Sequence, residues 1–448
     1  MIRRRHRVVT GCLFLSLTIV ACDRDAEVGA PVPAAPSVPA ELPRGGAVVV
    51  GVFGEPATLD PYSPVASDLT YALAAPVYRS LYRFDQEGAS VPDLVQSLDV
   101  SGEVATVTLV DARWSDGSPI TSADVAATIA RATPPSGLTE IDSVQRHGPQ
   151  RLVLTGRVED WPQTLARISF VLPEKGGGLY SGPFSIASRT EGLEVVLRPN
   201  LAAVDAPLLD EVTVRFTEGV EFLLALLRAG DLDVAVIPSS INLDQRMEEL
   251  GLLHADVPGW ERVVLDMEGS DLTPAQREEV AEAIDRRAIA TGFLRRDGHI
   301  IDSLYADPGD AESTGPFAEV FRGEGRGNGT SVQIGTPSGD ELVELIQRLV
   351  QVQLDRAGFD VELINLDART FYGEWRRDDP VDIAIRRVAG GPAAGSEAAA
   401  VRSLDTIPLF QVESVIAWRA GVGGISVVPT FEGPLSRAHE WYLAPAGG

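Results

Sequence analysis

Residues 332–363 restrict the architecture of this chain more than any other stretch. Val332 to Ile334 is a short β-type run, and Ser338 stands where a helix cap belongs. Leu342, Leu345, Ile346 and Leu349 follow at helical spacing, Gly358 stops the helix, and Phe359, Val361 and Leu363 alternate as a strand does. A crossover of this length joins two parallel strands with a right-handed connection. The chain is therefore read as an α/β protein. At 448 residues, 44% of them hydrophobic, it is long enough for two or three domains. No period of 20–50 residues recurs along it, which argues against solenoids and propellers.

A second local unit lies at Val107 to Ile129. Val107 and Leu109 alternate as in a strand, and Ser115-Asp116-Gly117-Ser118-Pro119 turns the chain. Thr121, three residues before Asp124, is a variant of the capping box. It predicts a helix with Val125 and Ile129 on its buried face. Ala47 to Phe53 reads as a buried strand. Further strands are expected at Arg151–Leu154, Ile168–Leu172, Val195–Leu197, Val212–Phe216, Val263–Leu265 and Val381–Ile385. Phe222–Leu227 reads as helical. Thr273-Pro274-Ala275-Gln276 is a capping box that predicts a helix carrying Val280, Ile284 and Ala288.

The wording of these units carries a resemblance. W-S-D-G-x-P-x-T-x-A-D-V at 114–125 and E-P-x-T-L-D-P at 55–61 resemble the signatures of the family 5 extracytoplasmic solute-binding proteins. These are the dipeptide-, oligopeptide- and nickel-binding components of ABC importers. Gly182-Pro183-Phe184, the G-x-x-D of Gly230 to Asp233, Ala283-Ile284-Asp285-Arg286 and the segment Thr406–Trp418 follow in the family's order. The resemblance implies a two-domain periplasmic-binding-protein-like fold, type II and cluster C-like, with mixed sheets and flanking helices. Domain I would comprise residues 47–258 and 406–448, and a shortened domain II residues 259–405. It also implies capture of a peptide-like or other small solute, with ABC permease and ATPase subunits as partners. Trp114 would pack the signature turn and not touch ligand.

The first residues fit an exported chain. Arg3, Arg4, Arg5 and Arg7 precede an apolar run from Cys12 to Val20, too short to span a bilayer as a helix. Ile19-Val20-Ala21-Cys22 resembles a lipobox, so residues 1–22 read as a lipoprotein signal peptide and Cys22 as a lipid anchor. An ordinary secretory peptide that happens to contain a cysteine is the alternative. Asp23 to Gly46, rich in Pro, Ala and acid, reads as a flexible tether. The expected location is extracytoplasmic, at the periplasm or cell surface.

Formal net charge is −26, which argues against nucleic acid and anionic membrane surfaces as partners. No histidine pair has zinc-ligand spacing, no Walker A or G-x-S-x-G motif occurs, and Cys12 and Cys22 are the only cysteines. Neither an enzyme nor a cofactor is expected. Candidate ligand-binding residues are Glu55, Tyr62, Trp260, Tyr372, Arg386 and Arg387. Glu55 belongs to the segment that lines the cleft in the family, and the aromatics flank predicted strand ends or the domain crossover; Phe371 and Trp375 flank them too. Core or hinge packing is the competing reading for each aromatic.

The resemblance fails in one place. Peptide-binding members carry a tryptophan and an acid after the strand that here is Val381–Ile385, and the acid pairs with the ligand's amino terminus. This chain has Arg386 and Arg387 there. The two arginines would favour a carboxylate or another anion, or else stand solvated. The missing acid also keeps open a second reading, a degenerate non-transporting member that acts as a membrane-tethered scaffold or sequestering protein.

Overall fold

The computed structural model describes residues 42–63, 66–85, 89–136, 141–166, 168, 170–238, 243–291, 298–301, 317, 320–321, 325–367, 370–371, 381–389, 402–427 and 432–445. The proposed signal peptide, Cys22, most of the tether, Tyr372 and Trp375 lie outside the described residues.

Strand β1 (Ala47–Phe53) matches the apolar run expected, and Val48, Val50 and Val52 are fully buried or nearly so. Helix α1 (Asp68–Ala74) follows, then the hairpin of β2 (Tyr82–Phe84) and β3 (Ser90–Pro92). Next come β4 (Val95–Ser101), β5 (Val104–Leu109), helix α2 (Ser122–Ser136), β6 (Ile141–Arg146), β7 (Arg151–Gly156) and helix α3 (Trp161–Ala166). These four strands form their own antiparallel sheet in the order β4-β5-β7-β6. Its core holds Val107, Leu109, Trp114, Val125, Ile129, Leu152 and Leu154. Trp114, 2% exposed, is thus a packing residue of the signature turn.

The chain continues through β8 (Phe184–Thr190), β9 (Glu194–Pro199), β10 (Glu211–Thr217), α4 (Val220–Ala229), β11 (Val234–Ile237) and α5 (Leu243–Leu250). A long strand, β12 (Leu253–Asp266), leads to α6 (Pro274–Ala283), α7 (Arg286–Ile289) and β13 (Gly298–Ile300). The expected crossover is present as β14 (Ser331–Pro337), α8 (Glu341–Ala357) and β15 (Asp360–Leu366), with β14 and β15 parallel. Then come β16 (Ile383–Ala389), β17 (Thr406–Trp418), and the small pair β18 (Val422–Gly423) and β19 (Tyr442–Leu443).

One eleven-stranded sheet runs through the described residues in the order β15-β14-β16-β12-β17-β11-β1-β10-β9-β8, with β13 added on β17. It contains two parallel groups, β10-β1-β11 and β15-β14-β16. The antiparallel pair β12-β17 joins them. Two cores correspond to the two groups. Val48, Val50, Val212, Val214 and Val234 pack in the first lobe. Val332, Ile334, Ile346, Val350 and Ile383 pack in the second. The joining strands take part in both. Val257 and Ile416 belong to the first core, while Val263, Leu265, Ile407, Leu409 and Phe410 belong to the second. The segment that the sequence marks as returning to the first domain thus packs its initial half in the second lobe.

Several local expectations change. Ile168 and Phe170–Leu172 are buried but join no ladder. Their backbone bonds go sideways, Val171 N–H to the Arg79 carbonyl and Leu172 N–H to Thr128 Oγ1. The short strand at Val263–Leu265 is the tail of the fourteen-residue β12, because β17 supplies partners along most of its length. The helix predicted through Ala288 breaks at Ile284, which is extended. Asp285 then caps α7 by accepting from Ala288 N–H at 2.9 Å. Asp340, not Ser338, caps α8, accepting from Val343 N–H at 3.2 Å. Gly182 is required by the close approach in its tight turn: a Cβ there would lie 2.7 Å from the Pro76 carbonyl oxygen.

The capping box before α2 forms as read. Asp124 Oδ2 accepts from Thr121 N–H at 2.8 Å and from its hydroxyl at 2.9 Å, and Oδ1 accepts from Glu174 N–H at 2.9 Å. One carboxylate therefore ties the helix start to a distant loop. Asp124→Ala should cost about 1–2 kcal/mol of unfolding free energy, since it removes a cap and strands a remote donor. Urea denaturation with an unchanged m-value checks this, and an unchanged midpoint would contradict it.

Candidate functional site at the lobe boundary

In an α/β protein with two parallel sheet segments, ligand crevices form at the carboxyl ends of the strands and between domains. Here the carboxyl ends of β1, β10 and β11 in the first lobe approach the carboxyl end of β14 in the second. The contact is close. Gly339, with φ +85°, follows β14, and a Cβ on it would lie 2.4 Å from the Glu218 carbonyl oxygen after β10. Only a residue without a side chain allows that approach, and the left-handed backbone favours glycine as well. Arg246 on α5 pairs with Glu221 on α4 and lies 3.8 Å from Glu341 on α8, so one guanidinium spans the lobes. Helix α1 lies against β16 at the same boundary.

Among the described residues, Glu55, Tyr62, Arg386 and Arg387 each engage a different partner within the chain. Glu55 follows β1 as expected, but both of its oxygens are engaged within the first lobe. Oε1 accepts from Arg189 Nη2 at 2.9 Å and Oε2 from Gly192 N–H at 2.8 Å, so Glu55 fastens the β8–β9 hairpin. Tyr62 donates its hydroxyl to the Phe170 carbonyl at 2.7 Å, and burial pushes its pKa upward. Arg131 stands 5.6 Å from the Tyr62 ring centroid and pairs with Asp60, also from the E-P-x-T-L-D-P stretch. Trp260 falls in the stretch of β12 between Val257 and Glu261, where the pairing with β17 slips.

Arg386 and Arg387 lie within β16, not after it. Opposite β12, Arg386 faces Val264 and Arg387 faces Val263. Successive side chains on a strand point to opposite faces, so the two guanidiniums are separated by the sheet and cannot form one clamp. Each already holds a carboxylate of this chain. Arg387 grips Asp340 through Nε at 2.6 Å and Nη2 at 2.9 Å, with side chains 2% and 1% exposed. Arg386 Nε and Nη2 approach Asp266 Oδ2 at 2.9 and 2.8 Å. Asp266 Oδ1 also accepts from Glu268 N–H at 3.1 Å and from the Thr406 hydroxyl at 3.3 Å.

Asp340 and Asp266 are the partners that sequence reasoning missed. Asp340 had a legible signal, since Ser338-Gly339-Asp340 before a periodic helix offers two cap candidates and the acid sits three residues before Val343. Asp266 had none, because nothing local couples it to a residue 120 positions away. Among the described residues no group of three or more His, Cys, Asp or Glu side chains is arranged to hold a metal ion. Among the same residues no helix is long and apolar enough to cross a membrane.

Two α/β lobes sharing a sheet through paired crossing strands define a periplasmic-binding-protein-like architecture. Residues 89–400 match the model of the bacterial extracellular solute-binding proteins, family 5 Middle, and the chain belongs to this family. Its members are extracytoplasmic binding components of ABC importers and not enzymes. No curated protein matches the chain closely enough to be counted a relative. Solved structures share its fold at low identity. The oligopeptide-binding protein AppA from Bacillus subtilis, in complex with a nonapeptide, aligns with TM-score 0.73 at 17% identity, covering 90% of this chain and 100% of that one. The binding protein AgaA from A.tumefacien R10, in complex with agropinic acid, gives 0.71 at 18%, covering 90% and 99%. NikZ from Campylobacter jejuni, in complex with Ni(L-His), gives 0.66 at 16%, covering 88% and 99%.

The buried Arg387–Asp340 pair allows a direct test. Arg387→Met leaves a carboxylate buried without its cation and should cost about 3–5 kcal/mol. The double variant Arg387→Met/Asp340→Asn keeps a cap on α8 while removing both charges, and should recover most of that loss. Equal losses in the single and double variants, measured by urea denaturation, would show that the pair is not coupled.

Proposed function

We propose that the protein captures a small solute, peptide-like or otherwise, between its two lobes and presents it to the permease of an ABC importer. The observation that carries this reading is the family match combined with lobes that meet at the carboxyl ends of their parallel strands. Binding energy comes from burying the solute as the lobes close about the β12–β17 connection, without covalent chemistry. The N-terminal basic and apolar runs and Ile19-Val20-Ala21-Cys22 support tethering through a diacylated Cys22, with residues 23–46 lifting the folded body off the membrane. The solved structures of the same fold hold ligands as different as a nonapeptide, agropinic acid and Ni(L-His), so the solute is identified by experiment.

One observation favours the second reading, a non-transporting scaffold or sequestering protein. The strand next to the expected amine anchor carries two arginines that internal carboxylates neutralise, and neither is a replacement for a free acid. A thermal-shift screen of the protein against peptides, sugars, amino acids and metal chelates separates the two. A specific solute at a hundred times its dissociation constant should add about 2.7 kcal/mol of stability. A shift confined to one chemical class supports capture for import, and a flat response across the panel from a folded protein supports the scaffold.

The anchor is tested separately. In the native host, labelled fatty acid should appear on the wild-type protein and not on Cys22→Ser, and the variant should leave the membrane fraction. Unlabelled wild-type protein would overturn the anchor without touching solute capture.

A further inference from the structure

A polar pocket of about 60 Å³ in the first lobe opens to the surface at Val204, 76% exposed, and Asp205. Its walls come from residues 75–93, 170–205 and 432–439, so it is apart from the lobe boundary. A buried water needs about 10–15 Å³ of such space, which gives room for roughly four waters or for a ligand of four or five non-hydrogen atoms.

The groups around it are charged and incompletely satisfied. Arg79 is committed to Asp93, with Nε at 2.8 Å and Nη2 at 2.6 Å from Oδ1. Arg83, on β2, forms no side-chain hydrogen bond or ion pair among the described residues. Glu432 is 8% exposed, and its buried Oε1 has no hydrogen-bond partner. Arg437 Nε and His439 Nδ1 are buried and make no hydrogen bond either, although Arg437 Nε lies 3.1 Å from Glu440 Oε1. Asp205 and Ser436 complete the polar wall. Buried polar groups left unmet are costly, and several gathered around one void are unusual in a folded protein.

The unmet groups have opposite characters. Arg83 and Arg437 are donors suited to a carboxylate. Glu432 is an acid whose ionised form requires a cation or strong donor. An anion alone would leave the ionised form of Glu432 unmet, and a cation alone would leave Arg83 unmet, since Arg437 already pairs with Glu440. We propose that this cavity is a second ligand site, independent of solute capture between the lobes, that takes a zwitterion the size of glycine. The ligand's carboxylate would meet Arg83 and Arg437, and its ammonium would meet Glu432.

The site has a pH signature. Burial, with Asp93 next, pushes the Glu432 carboxyl up to about 8, against the pull of Arg83 and Arg437. Burial also lowers the pKa of His439, keeping it neutral, while Glu440 and Asp205 oppose that shift and Arg437 and Arg83 add to it. The empty site therefore holds a protonated Glu432 at pH 7. An ammonium binds the ionised carboxylate, so binding releases a proton. Affinity should rise about tenfold per pH unit between pH 6 and pH 8 and level off above.

The test is calorimetric titration of the full chain with glycine, acetate and methylammonium at pH 6, 7, 8 and 9. Expected are one glycine site with the stated pH dependence, at least tenfold weaker binding of acetate and methylammonium, and loss of the site in Glu432→Gln. Arg83→Met serves as the second variant should Glu432→Gln fail to fold, and it too should lose glycine. The proposal is overturned if wild-type protein binds no glycine at pH 8, if acetate binds as well as glycine, or if folded variants retain the site. In the last case the ligand would be bound at the lobe boundary instead.

Discussion

The antiparallel pair β12–β17 is the constraint on which the rest of the structure depends. Both strands begin in one core and end in the other, and their ladder keeps the backbone satisfied across the boundary. A connection by single loops would leave the lobes free to separate. Two hydrogen-bonded strands permit twist and bend but hold the carboxyl ends of the two parallel groups opposite one another. The slip in pairing between Val257 and Glu261 falls at the passage between cores. A second slip follows between Val263 and Val264, and irregularities of this kind bend and twist a ladder locally.

Charge is arranged around the same frame. The chain is strongly acidic, yet the second lobe buries an arginine fully and pairs it in a two-pronged geometry. Asp340 performs two tasks there, neutralising Arg387 and capping α8, so the helix start, β16 and the approach of Gly339 to Glu218 are fixed together. On the other face of the sheet, Arg386 and Asp266 link β16 to the end of β12 and, through Thr406, to the start of β17. Ion pairs of this kind contribute less to net stability than to uniqueness, because desolvation offsets much of their attraction. Their consequence for solute recognition is that these guanidiniums are already occupied.

Much local chemistry was legible where the residues that decide a feature lie within one turn of each other, although the caps of α7 and α8 fell on Asp285 and Asp340 instead of the positions read. The strand Ala47–Phe53, the Thr121–Asp124 cap, the Thr273–Gln276 box, Gly358 as a helix stop and the β14-α8-β15 crossover depend on short-range rules and came out as read. The family wording pointed to the family, and the match over residues 89–400 bears that out. Boundaries suffered where a neighbour from elsewhere in the chain intervened, as when β17 extends β12 or when Arg79 and Thr128 draw Val171 and Leu172 out of any ladder.

The sequence by itself determined the α/β class and the two-lobed plan, because periodicity and turn chemistry are local properties. Tertiary structure alone decided what the charged residues do. Glu55 became a fastener of the β8–β9 hairpin, Arg386 and Arg387 were parted by the pleat and claimed by Asp266 and Asp340, and Glu432 was left facing a cavity beside Arg83. The partner of a charged group is set by which strands and segments pack together across more than a hundred residues, and no local pattern records that.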